Sequence, residues 1–138
     1  MGTWSHEPFG NDTANDWAYE LEETTDLSLI ESTLDKVIAQ ADQYLDASEG
    51  EEAVAAIEVL AKLIGHGSQS DSYTAKVDIW VASLTEKPSA ELLQKAQRAI
   101  EKILAEDSEL HALWRESTGF ASWTASMAHL TKVVSVQN

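Results

Sequence analysis

From residue 12 onward, apolar residues return every three to four positions, and this period constrains the fold more than any other feature of the chain. Ala14, Trp17, Ala18 and Leu21 stand at i, i+3, i+4 and i+7 and mark a short first helix. Asn11, Asp12 and Thr13 each offer a side-chain oxygen to cap it, and Thr13-x-x-Asp16 has the spacing of a capping box. Ser28-x-x-Glu31 predicts a second box, ahead of the stripe Ile30, Leu34, Val37, Ile38, Ala41 and Leu45. Ser48-x-x-Glu51 predicts a third, ahead of Val54, Ile57, Val59, Leu60 and Leu63, and Gly65 and Gly67 stop that helix. A polar loop, Ser68 to Ser72, follows. Tyr73, Val77, Trp80, Val81 and Leu84 mark a fourth helix, which Lys87-Pro88 breaks. Ser89 caps a fifth, with Leu92, Leu93, Ala96, Ile100, Ile103 and Leu104 inward. Asp107 and Ser108 read as a break or a new cap before Leu110, Leu113 and Trp114. After Gly119, the residues Phe120, Trp123, Met127, Leu130 and Val134 form a last stripe. The closing VVSVQN is β-branched but too short to propose a sheet.

This pattern predicts an all-α fold, a single-domain bundle of six or seven short helices over residues 1–138 with an ordered N-terminal arm. Short links favour antiparallel neighbours, with helices 2–3 and 4–5 as candidate αα-hairpins. A chain of this size buries roughly 68–70% of the surface its unfolded form exposes, so it needs no metal or disulfide to fold. There are no cysteines, which excludes disulfides and thiolate chemistry. Residues 1–30 carry no Lys or Arg and no apolar run, so no secretory signal is expected. The myristoylation pattern wants Ser or Thr where His6 stands, and no stretch is long and apolar enough for a membrane span. The reading is a soluble, cytoplasmic protein that uses no membrane.

The arm itself is unusual. MGTWSHEPFGNDTANDW holds two tryptophans, a phenylalanine and a histidine ahead of the helical pattern. Trp4 and Phe9 are costly to leave in water, and each can bury about 150–250 Å². The simplest account is a clamp: Trp4 and Phe9 lie over the bundle, Asn11 and Asp12 turn the chain and cap helix 1, and Asp16 satisfies further amides, with Trp17 in the first buried stripe. These residues also carry a resemblance. The stretch is similar to the N-terminal signature of the bacterial domain of unknown function 4259 family, roughly Met-Gly-Thr-Trp-Gly-x-x-x-Phe-x-Asn-Asp-x-Ala-x-Asp-Trp, at Met1, Gly2, Thr3, Trp4, Phe9, Asn11, Asp12, Ala14, Asp16 and Trp17. It departs at Ser5, where the family has Gly, so a tight turn there is expected to be made differently. SELHALWRES, with Ser108, Glu109, Leu110, Leu113 and Trp114 in place, and AIEVLAKLIG resemble later segments of the same family. The resemblance implies a small helical domain without an established activity, and some members look like immunity proteins beside toxin genes.

Charge is the other strong feature. The net charge is −15, and residues 1–60 hold fifteen Asp and Glu against one base, Lys36, a net of −14. Such a field repels nucleic acid and anionic membranes and draws in basic partners. Glu31, Asp35, Asp42 and Asp46 recur at intervals of four, seven and four, a spacing that places them along one side of helix 2. Glu49, Glu51 and Glu52 continue the charge, and Tyr44 beside them can serve as an aromatic anchor. The functional expectation is therefore a non-enzymatic binding protein whose acidic half engages a basic protein, most concretely an immunity or antitoxin protein that occludes a toxin. A solvated acidic face is the bland reading of the same residues. The alternative function is a small metal-dependent or hydrolytic enzyme using His6, Glu7, Asp12 and Asp16. No cofactor and no metal are expected: His6, His66, His111 and His129 lack ligand spacing, and no phosphate-binding glycine loop or nucleophile elbow is present. Oligomeric state is not legible.

Overall fold

The computed structural model describes residues 3–136, so Met1, Gly2, Gln137 and Asn138 of the motifs above lie outside the described residues. Among the described residues there are seven α-helices and no strands: α1 (Asp12–Glu22), α2 (Ser28–Ile38), α3 (Ala47–Leu63), α4 (Ala75–Ser83), α5 (Ala90–Ile103), α6 (Glu109–Arg115) and α7 (Phe120–Val136). A single 3-10 turn, Ser72–Thr74, leads into α4.

α3 is the axis. Its central stretch from Ala53 to Ala61 is buried at every position, and it touches each of the other six helices. Four alanines in that stretch (Ala53, Ala55, Ala56 and Ala61) let neighbours approach closely. The predicted stripes supply the surrounding layer. Ala14, Trp17, Ala18 and Leu21 are buried from α1, Leu92, Leu93, Ala96, Ile100 and Ile103 from α5, and Trp123, Met127, Leu130 and Val134 from α7. α2 packs on α3 as the expected hairpin. α5 instead packs chiefly on α2 and α7, so helices 4 and 5 do not form the second one. Leu104 and Leu113, expected inward, are exposed, and Tyr73 lies before α4 rather than in it. The β-branched tail continues α7 as helix through Val136.

Helix starts differ from the serine boxes. Asn11 caps α1, its side-chain oxygen accepting from the Ala14 amide at 2.7 Å, while Thr13 lies inside the helix. Ser28 is already helical, and its amide and hydroxyl donate to Asp26. Ser48 is also inside its helix, where the Ala47 amide donates to Glu109 from across the fold, 2.8 Å away. Ser89 and Ser108 do cap α5 and α6. α2 ends at Ile38, seven residues short of the predicted stripe, leaving Ala41 exposed while Leu45 stays buried. Gly65 closes α3 with φ of +88°, a left-handed conformation natural to glycine.

Candidate functional site

The N-terminal arm folds back on itself. The Trp4 and Ser5 amides donate to the Gly10 carbonyl at 2.9 and 3.2 Å, and the Gly10 amide donates to Glu7 O at 2.9 Å. Thr3 pairs with Asn11 in an antiparallel bridge. The turn is tight at Gly10, where an added Cβ would sit 2.1 Å from Ser5 Oγ. Ser5 itself accepts from the Glu7 amide at 3.2 Å, a bond that glycine at this position could not make. Phe9 is fully buried, and Asn15 donates to the Phe9 and Asn11 carbonyls at 2.9 and 2.8 Å. Trp17 is buried, with its indole N–H on Thr33 at 2.9 Å. The clamp is thus real for Phe9, Asn11 and Trp17. Trp4 is a correction. Its side chain is 45% exposed, and its ring rests on Tyr73 at 5.1 Å between centroids. The short arm loop holds it outside the core. Asp12 and Asp16 are exposed, and the capping expected of them falls to Asn11 alone, while Asn15 ties the arm down by donating to the Phe9 and Asn11 carbonyls.

Beneath the arm lies a buried polar network. Glu58 on α3 is fully buried and accepts from Ser68 N, Ser68 Oγ and Gln69 N at 2.8, 2.9 and 2.8 Å. Burial pushes its carboxyl up, and the Gln69 and Ser68 donors oppose that shift. Gln69 in turn accepts the Phe9 amide at 2.8 Å, so the arm is fastened to α3 through Gln69 and Glu58. Lys62, one turn on, donates to Gln69 O and pairs with Asp78 at 2.7 Å.

The seven acids and Tyr44 do not form one stripe. Glu31 and Asp35 share α2, where Lys95 of α5 bridges them at 2.8 and 2.9 Å. Hydrogen bonds to Glu31 and Asp35 push the Lys95 ammonium up. Glu49 accepts from Gln40 at 2.8 Å. Glu51 is half-buried beneath the arm, 3.4 Å from the Thr3 hydroxyl, and burial pushes its carboxyl up; burial does the same for Glu52, with Lys36 opposing. Asp42 and Asp46 are not on helix 2. They stand exposed with Tyr44 on the α2–α3 connector. Buried Lys102 of α5 holds that connector, donating to Ala41 O at 3.3 Å and to Gln43 O while pairing with Asp107 at 2.8 Å. The Lys102 hydrogen bond draws the Asp107 carboxyl down. A parallel bridge, Leu45 N to Asp107 O and Glu109 N to Leu45 O at 2.9 Å each, lays the connector beside residues 106–109. The result is an acidic edge in which Asp42, Tyr44 and Asp46 stand near Glu106 and Asp107, over one buried cation.

His6 is exposed beside Glu7 on the arm, and Asp12 and Asp16 lie along α1. Among the described residues no three His, Asp or Glu side chains come close enough to hold a metal ion. His111 joins an aromatic cluster, 5.8 Å from Phe120 and 6.0 Å from Trp123. His129 Nε2 lies 3.0 Å from the exposed His66 carbonyl. No helix of the described residues is long and apolar enough to cross a membrane.

Glu58, Gln69, Lys95, Lys102 and Asn15 carry much of this architecture, and the sequence patterns did not single them out. Glu58 left a signal, a lone acid inside the apolar run Val54–Leu63 with Lys62 four residues later. Lys95 and Lys102 left none, because Glu31, and the Ala41 and Gln43 carbonyls that Lys102 holds, lie about sixty residues away.

Fold and surface together define a small all-α domain with a fastened N-terminal loop and an acidic first half. The chain belongs to the domain of unknown function 4259 family, whose model matches residues 2–126. Comparison with curated proteins and with solved structures gives no match.

Proposed function

We propose that this is a cytoplasmic, non-enzymatic binding protein whose acidic first half engages a basic partner protein, acting most concretely as an immunity or antitoxin protein that covers the basic groove of a toxin. The observation that carries the reading is the exposed edge of the α2–α3 connector. Asp42, Tyr44 and Asp46 project there beside Glu106 and Asp107, and Lys102 and the bridge to Ser108 hold the backbone in place. Carboxylates on a fixed backbone pair with Arg and Lys at little ordering cost, and opposite charge speeds encounter. Tyr44, 56% exposed, is an aromatic anchor of the kind that centres interfaces. Glu31 and Asp35 contribute less, because Lys95 already neutralises part of their field.

The test is affinity capture from the native host at low and moderate salt, with Asp42→Lys/Asp46→Lys as control. One stoichiometric basic protein, retained at moderate salt and lost with the control, is the expected result. A mixture of basic proteins that vanishes with salt would refute the reading and leave the acidity as a solvated face.

A further inference from the structure

α1 and α4 run side by side in the same direction. Three contacts mark the pairing: Trp4 on Tyr73 near the start of α1, Lys76 Nζ 3.7 Å from the Tyr19 ring centroid in its last turn, and Trp80 Nε1 on Thr24 O at 2.8 Å past its end. The outer face of this pair is unusually apolar for a surface. Tyr19 is 58% exposed, Tyr73 48% and Ile79 72%. Lys76 lies three residues from both Tyr73 and Ile79, so the line Trp4, Tyr73, Lys76 with Tyr19, and Ile79 is continuous. Three acids flank it. Asp12, Asp16 and Glu23 are all exposed at i, i+4 and i+11, on the stripe of α1 that carries Tyr19, whereas Glu20 turns toward Glu52 of α3. α1 carries no base, and Lys76 is the only one on α4.

Three properties of the face point to one kind of occupant. Its aromatic rings are presented by fixed backbone, Trp4 on the hydrogen-bonded arm loop and Tyr73 on the 3-10 turn capped by Asp71. Fixed aromatic anchors lose little entropy on binding. The face already holds a cation on an aromatic ring, at Lys76 and Tyr19. Its rim is acidic, so a second copy of the chain, a nucleic acid or an anionic membrane would each meet like charge. A guanidinium both stacks on aromatic rings and forks onto carboxylates, which an ammonium does not.

We infer that the α1–α4 face docks an arginine-bearing segment of a basic protein, with guanidinium groups stacked on Trp4 and Tyr73 and paired with Asp12, Asp16 and Glu23. The inference rests on the proposed engagement of a basic partner and assigns that contact an aromatic anchor outside the α2–α3 edge.

The probe is a short peptide alternating arginine and glycine, with its lysine counterpart, titrated into the ¹⁵N-labelled full chain and followed by NMR. The expected result is movement of the Trp4 indole N–H and the amides of residues 16–23 and 73–79. The arginine peptide should bind about tenfold more tightly than the lysine one, the equivalent of about 1.4 kcal/mol. The Trp4 shift should persist at a salt concentration that screens exposed ion pairs. Trp4→Ala and the exposed pair Asp16→Asn/Glu23→Gln should each weaken binding, whereas Glu101→Gln on the exposed side of α5 should leave it unchanged. Shifts confined to residues 42–46 and 106–109 would overturn this inference and leave the proposed edge standing. No localised shift anywhere would remove both. Self-association that protects the Trp4 indole would overturn it in favour of a second copy.

Discussion

Replacing Glu58 with alanine removes a fully buried carboxylate that accepts three hydrogen bonds, at 2.8, 2.9 and 2.8 Å. Hydrogen bonds to a charged group contribute about 1.5–3 kcal/mol each, and a buried amide left unpaired costs about 1–3 kcal/mol more. Relief of the carboxylate's own desolvation offsets part of this. The net expectation for Glu58→Ala is a loss of about 3–5 kcal/mol, or roughly 10–20 °C in Tm for a domain of this size. Because Gln69 links Glu58 to Phe9, amide exchange on the arm should rise with it. Glu58→Gln is the milder partner. One amide oxygen keeps the Ser68 and Gln69 backbone donors, and the Ser68 hydroxyl can turn to accept the new NH₂ group. A loss of about 1–2 kcal/mol follows. Burial holds the Glu58 carboxyl above the ordinary value of 4.5, so between 4.5 and its raised value the folded chain binds more protons than the unfolded one. Wild-type stability from this group therefore falls as pH rises through that window, and the gap between wild type and Glu58→Gln narrows. Urea denaturation followed by tryptophan fluorescence at several pH values measures both effects. A loss below about 1 kcal/mol for Glu58→Ala, with unchanged arm exchange, would refute the reasoning.

Phe9→Ala should cost about 3–5 kcal/mol by urea denaturation, while Trp4→Ala should cost only about 0.5–1.5 kcal/mol, because Phe9 is fully buried and Trp4 rests half-exposed on Tyr73. Equal losses would show that Trp4 belongs to the core. Lys102→Met should lower stability by about 2 kcal/mol and speed amide exchange in residues 40–46, since it frees the Ala41 and Gln43 carbonyls while its partner Asp107 stays half-exposed. Gly10→Ala should cost about 1–3 kcal/mol, because the new Cβ meets Ser5 Oγ at 2.1 Å and Ser5 O at 2.8 Å. Ser5→Gly in the same chain should recover part of that loss in a thermal melt, and no recovery would place the strain elsewhere.

The helices were legible because burial around a central axis imposes the 3.6 period that Ala14, Trp17 and Leu21, or Trp123, Met127 and Leu130, display. Their starts were less so. Ser28 and Ser48 have box spacing, yet Asp26 and the distant Glu109 accept from the first-turn amides instead, and an acceptor from another part of the fold leaves no local pattern. The end of α2 was hidden for the same reason. The Ala41 and Gln43 carbonyls are drawn to Lys102, which lies about sixty residues on. The acidic residues suffered most from this. Helical spacing grouped Glu31, Asp35, Asp42 and Asp46, but Lys95 claims the first two and an early helix end separates the others. Trp4 shows a further limit: hydrophobicity says that a ring prefers burial, and only the arm's hydrogen bonds decide that this one stays outside.

The position of α3 at the centre of the bundle sets how the domain opens. With every residue from Ala53 to Ala61 enclosed and all six neighbours resting on it, no cut between helices leaves a fragment that still covers it. Amide protons in that stretch should exchange only through global unfolding, while those of the arm and connectors escape by local opening. The molecule then melts as one cooperative unit, and a partner on any face shields the whole of it. Stability gained on binding scales with the logarithm of partner concentration over Kd, so a shift in the single melting transition reports an encounter wherever on the surface it takes place.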